Sequence, residues 1–295
     1  MNIQFIIEAS EKSGLGRVRR SIALAAALQK EGAAVQIVAP FSQTACRMIL
    51  AYKIPMMQTV SPSSEMTIVD AGPEYQLSLY DKLPQQMKLV VIDDIANCRL
   101  MPDIIINPNI YAQQLDYSYL GNPRLLGGPK YHLVEKEFFA VGSEKKDIDI
   151  LISFGGSAVE EYIQQIAIAL EPYSQDYSIR IASPKALRPT LTRSLQTEIN
   201  QEMSALLKRS KVYLGGAGAT VLEALAANCQ LVVTRVAEDQ KMNTLALRAQ
   251  EISVCDLFDP SILTEMAIDA INNPRHYSIK LINSAIYRTA RALLS

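Results

Sequence analysis

Residues 211–234 read KVYLGGAGATVLEALAANCQLVVT. Residues 212–214 form a short apolar strand and Gly215, Gly216, Ala217 and Gly218 a small-residue loop. A helix follows, then a second apolar strand at 231–233. Strand, tight turn, helix and strand make the repeating unit of a doubly wound parallel sheet. A glycine-rich turn at that junction lets main-chain N–H groups approach an anion, and a helix start favours negative charge. Thr220 and Glu223 fit a T-x-x-E capping box, in which Glu223 serves the helix; the alternative is that it serves a ligand.

The same alternation extends outward in both directions. Upstream, residues 148–153 read as a strand, 154–157 as a Gly-Gly loop and 159–170 as a helix. A strand at 178–182 and a helix over 195–209 follow. Downstream come helices over 241–250, 262–271 and 277–294 and a brief strand at 253–255. The N-terminal half repeats the cycle: strand 3–7, loop 8–16, helix 17–30, strand 35–38 and helix 44–52. Apolar runs at 66–69, 88–92 and 103–106 end in Asp70, Asp93 and Asn107, where open α/β sheets bind ligands. Between 107 and 139 the chain is loop-like, with a short helix near 133–138, and the polar stretch 141–147 is a linker. The fold class is therefore α/β, with two doubly wound Rossmann-type domains facing a cleft. Expected boundaries are 1–140 and 148–276, with 277–295 a C-terminal helix packing back on the first domain.

At 295 residues, 49% hydrophobic and 20% charged, the chain has ample material for packed cores and is unlike a disordered one. A net charge of −1 draws in neither nucleic acid nor anionic membrane. Cys46, Cys98, Cys229 and Cys255 are scattered and read as thiols in a reducing compartment. With no leader-like start and no apolar run near 18 residues, a cytoplasmic protein is expected. His132 and His276 stand far apart and no C-x-x-C occurs, so no metal site is expected.

Three turns carry glycine between strand and helix: Gly14-Leu15-Gly16, Gly155-Gly156 and Gly215-Gly216-Ala217-Gly218. None is a full dinucleotide or Walker motif, but together they line up N–H-rich turns on the edges of both sheets. Arg17, Arg19 and Arg20 cluster at the start of the first helix, where positive charge opposes the dipole. A guanidinium there can clamp a phosphate or carboxylate. Asp93 and Asp94 end a strand, and strand alternation sends them to opposite faces: one caps the next turn while the other faces the cleft.

The stretches GLGRVRR (14–20), VVIDD (90–94), IIINPNIYA (104–112), LLGGPKYHLVEKEF (125–138), LISFGGS (151–157), GGAGATVLEAL (215–225) and AEDQ (237–240) resemble a known family. They are similar to the UDP-sugar hydrolases of pseudaminic acid biosynthesis and the related spore coat polysaccharide proteins, themselves similar to the peptidoglycan N-acetylglucosaminyltransferase of GT-B architecture. The resemblance implies a UDP site in the C-terminal domain. Gly215, Gly216, Ala217, Gly218, Ala219 and Thr220 would hold the diphosphate, with Gly155 and Gly156 beside them. Glu223 would take the ribose, and Asp239, Gln240 and Asn243 the sugar side. In the N-terminal domain it implies an acceptor or sugar side formed by Gly14, Gly16, Arg20, Asn107, Asn109 and Tyr111.

Where the family carries a histidine in GLGHxxR, this sequence has Arg17, which stays protonated and cannot serve as a general base. The expected activity is therefore metal-independent glycosyl transfer from a UDP-sugar in surface glycan synthesis. Arg17, Asp94 and Glu11 are its catalytic candidates, and Glu8 is a further carboxylate in reach. Hydrolysis with another base, such as a carboxylate or His132, and non-catalytic nucleotide-sugar binding are the alternatives. No cofactor is implied beyond the UDP-sugar substrate. Partners would be a sugar or glycan acceptor and other enzymes of the same pathway, not nucleic acid.

Overall fold

The computed structural model describes residues 1–9, 16–38, 43–84, 86–140, 145–155, 160–183, 195–199 and 202–295. The chain divides into two compact units, one of Met1–Glu135 with Ser284–Ser295 and one of Lys136–Asn283.

The first unit runs β1 (Asn2–Ile7), α1 (Gly16–Lys30), β2 (Ala34–Val38), α2 (Gln43–Ala51), β3 (Met56–Met57) and β4 (Met66–Asp70). It continues through α3 (Pro73–Leu77), β5 (Lys88–Ile92), β6 (Ile104–Asn107) and β7 (Arg124–Gly127). Its seven strands pair in the order β3-β2-β1-β4-β5-β6-β7, every pair parallel. Parallel strands bury both faces, which is why these segments are continuously apolar rather than alternating. Ile3, Phe5 and Ile7 of β1 pack on one face against Ile22, Leu24 and Leu28 of α1. Ile6, Val69, Val91 and Ile105 fill the other face with Leu100, Tyr117 and Leu120.

The second unit contains β8 (Ile148–Ser153), α4 (Glu160–Leu170), β9 (Ile179–Ser183), β10 (Gln196–Ile199), α5 (Met203–Arg209), β11 (Ser210–Gly216) and α6 (Thr220–Ala226). It continues with β12 (Gln230–Thr234), α7 (Lys241–Arg248), β13 (Ser253–Cys255) and α8 (Pro260–Asn272). The strand order is β10-β9-β8-β11-β12-β13, again parallel throughout. Ile150, Ile152, Val212, Leu214 and Val232 meet Ile163, Ile166 and Leu170 of α4 and Leu263 and Ala267 of α8. The chain then returns to the first unit as α9 (Ala285–Leu294), whose Ile286, Ala290 and Leu293 join the core beneath α1.

Four local expectations are corrected. The helix expected over 195–209 is a strand followed by a short helix: β10 pairs with β9 as an edge strand, and helix starts only at Met203. Tertiary pairing here overrides a weak helical pattern. The terminal helix begins at Ala285 rather than 277, because Tyr277 is pinned to the sheet, its hydroxyl accepting from Leu231 N at 2.9 Å. Between 133 and 138 only one 3-10 turn forms, Lys136–Phe138. Of the expected linker, residues 141–144 lie outside the described residues. Lys146 is anchored, its Nζ donating to the carbonyls of Ser210 (2.6 Å) and Ala227 (2.9 Å).

The fourth correction concerns Gly215 and Gly216, which are the last two residues of β11 and not loop. Gly215 is required by close approach. A Cβ there would lie 1.9 Å from the Ser153 carbonyl oxygen and 2.6 Å from the Tyr213 hydroxyl. Gly218 has room, its nearest neighbour being Gln240 Nε2 at 3.5 Å. G215A is therefore expected to destabilise the second unit by about 3 kcal/mol or more and G218A by less than about 1 kcal/mol, since overpacking against fixed backbone cannot relax. Urea unfolding of the two variants checks the contrast.

Candidate functional site

In a doubly wound sheet the crevice opens where strand order reverses, outside the carboxyl ends of the two diverging strands. In the second unit those strands are β8 and β11. Gly155 follows β8 with φ +81°, and Gly216, Ala217 and Gly218 follow from the end of β11. Both glycine stretches of this half thus stand side by side at its switch point; Gly156 lies outside the described residues.

The turn itself is Ala217-Gly218-Ala219. Ala217 N donates to the Thr234 carbonyl (3.0 Å), and the buried Asn243 donates from Nδ2 to the Ala217 carbonyl (2.7 Å). Asn243 therefore shapes the turn from below. Among the described residues, the N–H groups of Gly218, Ala219 and Thr220 donate to no main-chain acceptor. They are among the donors that a helix start leaves without a main-chain partner.

The capping box does not form. The N-cap is Ala219, in αR conformation without a side-chain cap, and Thr220 is already helical. Thr220 instead hydrogen-bonds the Tyr213 phenol. Tyr213 is fully buried and donates to the carbonyls of Ser153 (3.0 Å) and Gly216 (3.3 Å), tying β8 to β11. Burial, and then the charge of Glu223, push this phenol up, so it stays a donor. Gln240 ends a 3-10 turn, its Oε1 accepting from Val236 N at 3.1 Å, while Asp239 is exposed beside it.

In the first unit the reversal falls between β1 and β4. Glu8 follows β1, Asp70 ends β4, and α1 places Arg17 and Arg20 across them. Glu8 Oε2 accepts from Arg17 Nη1 and from Gly72 N (2.8 Å). Arg20 donates from Nε and Nη2 to Asp70 (both 2.7 Å), and from Nη1 to Asp94 Oδ1 (2.9 Å) and Oδ2 (2.7 Å). The guanidiniums expected to clamp an anion are thus already paired with carboxylates. Burial works against the charge on Arg20, but Asp70 and Asp94 outweigh it and hold it protonated. Gly16 starts α1, and Gly14 and Glu11 lie outside the described residues.

Asp93 and Asp94 divide as strand alternation requires. Asp93 accepts from the N–H groups of Ile95 (3.1 Å) and Cys98 (3.0 Å) and holds the turn, with burial pushing its carboxyl up. Asp94 is partly exposed. Burial would raise its carboxyl too, but Arg20 and Asn109 (Nδ2 to Oδ1, 2.8 Å) more than offset this and leave it below the ordinary carboxylate value. Asn107 is buried and holds the arrangement together: its Nδ2 donates to the Asp94 carbonyl (3.1 Å) and its Oδ1 accepts from Asn109 Nδ2 (2.9 Å). Tyr111 is also buried, within the core. His132 is fully buried with Nδ1 accepting from Val134 N (3.2 Å).

Sequence reasoning did not single out Gly72, whose N–H anchors Glu8, or Tyr117, which donates to the Asp93 carbonyl at 3.0 Å. The Gly72-Pro73 pair opening α3 was a local signal for the first. Nothing local marks the second, whose partner is 24 residues away.

No family model matches the chain, and no curated protein matches its sequence. Solved structures do match. The UDP-GlcNAc 2-epimerase from Neisseria meningitidis bound to UDP-GlcNAc shares 14% identity over 100% of both chains, with a TM-score of 0.69. The S. aureus MnaA–UDP co-structure shares 12% over 99% of this chain and 95% of that one, at 0.64. MurG of Acinetobacter baumannii shares 14% over 99% of each, at 0.58. The likeness is one of fold: the two Rossmann-type units belong to the GT-B architecture.

Two outcomes follow from the first unit's network. R20M takes from the buried Asp70 its bidentate partner and leaves it Arg17 Nε at 3.9 Å and the Ser21 hydroxyl. It is expected to cost about 3 kcal/mol in urea unfolding, with R20K recovering part of it. Because the folded Asp94 carboxyl lies below its ordinary value of about 4, its contribution is present above that value and is lost as pH falls through the folded one. D94N is expected to flatten the acid limb of the stability–pH curve below about pH 5 and to leave its shape above about pH 6 unchanged.

Proposed function

We propose that this chain transfers a glycosyl group from a UDP-sugar to an acceptor in surface glycan synthesis. The observation that carries the proposal is the row of Gly218, Ala219 and Thr220 N–H groups, which no main-chain acceptor takes among the described residues, beside Gly155 at the β8/β11 switch point. The fold is one on which UDP and UDP-GlcNAc are bound in the similar structures. In this reading the row receives the diphosphate and offsets its growing charge as it departs, with no metal required. Asn243 keeps the turn in shape, Glu223 accepts the ribose hydroxyls, and Asp239 and Gln240 reach the sugar.

The first unit handles the sugar or acceptor through Asp94, Asn109 and the Glu8–Arg17 pair. An aspartate held below the ordinary range is a weak base but a firm acceptor, so Asp94 orients a hydroxyl by hydrogen bonding. Arg17, charged and paired to Glu8, orients and does not take a proton.

A second reading is epimerisation of the sugar, favoured by the match along the full chain to the N. meningitidis epimerase. One assay separates the readings. UDP-GlcNAc is incubated with the protein, with and without candidate glycan acceptors and with EDTA. Acceptor-dependent UDP release supports transfer, free sugar without acceptor supports hydrolysis, and an epimeric UDP-sugar supports the second reading. Binding without turnover leaves a nucleotide-sugar binding protein.

The site assignment has its own check in calorimetry. E223A is expected to weaken UDP roughly 10- to 100-fold, as loss of one or two charge-assisted hydrogen bonds implies. Unchanged affinity would remove Glu223 from the site.

A further inference from the structure

Thr234 ends β12 and is fully buried. Its carbonyl accepts from Ala217 N, and its backbone is in register with Gly216 on one side and Cys255 on the other. Its hydroxyl has no hydrogen-bond partner, and among the described residues it is the one buried side-chain polar atom of which this is true. An unpaired buried hydroxyl costs stability and calls for an explanation. Valine fills the same volume without that cost, and the two preceding residues of the strand, Val232 and Val233, are valines.

Residues in register on adjacent parallel strands project to the same face, so the Thr234 side chain shares a face with the missing side chain of Gly216. A Cβ at Gly216 would meet Val236 Cγ2 at 3.1 Å and Gln240 Oε1 at 3.7 Å, and one at Gly218 would meet Gln240 Nε2 at 3.5 Å. The Gln240 carboxamide thus lies across both glycines. Its Oε1 accepts from Val236 N at 3.1 Å.

We propose that Thr234 is a ligand-binding residue: with the Gln240 carboxamide displaced from the glycines, its hydroxyl donates to a phosphoryl oxygen of a nucleoside diphosphate seated there. The inference rests on the UDP-sugar reading above and adds a residue to it. The free protein carries an unpaired hydroxyl because its partner arrives with the ligand, and Gln240 fills the place meanwhile.

Calorimetry with UDP and thermal melting without nucleotide, on the full chain and its T234V and T234S variants, test it. T234V is expected to melt roughly 2–4 °C higher than wild type and to bind UDP about tenfold more weakly. T234S, which keeps the hydroxyl, is expected to bind within about twofold of wild type. Wild-type affinity in T234V overturns the proposal, as does a lower melting temperature, which would mean that water satisfies the hydroxyl in the free protein. Equal losses in T234S and T234V overturn it too. A wild-type chain that binds no UDP overturns the UDP-sugar reading itself, and Thr234's role falls with it.

Discussion

A parallel sheet wound outward from its middle sends the chains that follow its two central strands to opposite faces, and that divergence opens a crevice in each unit of this protein. Everything of chemical interest here is disposed by it. β1 and β4 part in the first unit, β8 and β11 in the second. The strands owe their places to continuous apolar runs covered on both faces, so polar residues collect just past their carboxyl ends. Glu8, Asp70 and Asp94 stand there in one unit, and Gly155, Gly216 and Gly218 in the other.

The two edges share a topology and differ in chemistry. In the first unit, charge answers charge: Arg17 pairs with Glu8, and Arg20 with both Asp70 and Asp94. Such an edge suits hydroxyl groups, because its positive charges are already answered by carboxylates. In the second unit the edge offers main-chain donors and small residues, with Tyr213, Asn243 and Gln240 as neutral supports. Neutral N–H groups converging on one place suit an anion, which brings its own charge.

Much of this was legible in the sequence, and the failures have physical causes. The strand–turn–helix alternation reads directly from apolar runs and glycine, so the α/β class and most strands are visible. What the sequence hides is partnership at long range. Arg20 reads as a clamp free for a ligand until Asp70, 50 residues on, is seen against it. Gly215 looks like part of a phosphate loop, yet it is glycine because the Ser153 carbonyl occupies the space of a side chain. Residues 196–199 become strand only because β9 offers an open edge. Thr234 closes a run of valines and gives no sign that its hydroxyl lacks a partner.

The placement of α9 bears on how the chain comes together in time. Ile286, Ala290 and Leu293 complete a core whose other buried members come from residues 3 to 133. The second unit, by contrast, is a single contiguous segment. During synthesis the first unit therefore waits, with an apolar stripe of α1 uncovered, until residues beyond 284 have been made. The second unit has all its elements sooner. The half that begins the chain is the last to be finished, and in the interval its open stripe is where a chaperone or an unwanted neighbour would find purchase.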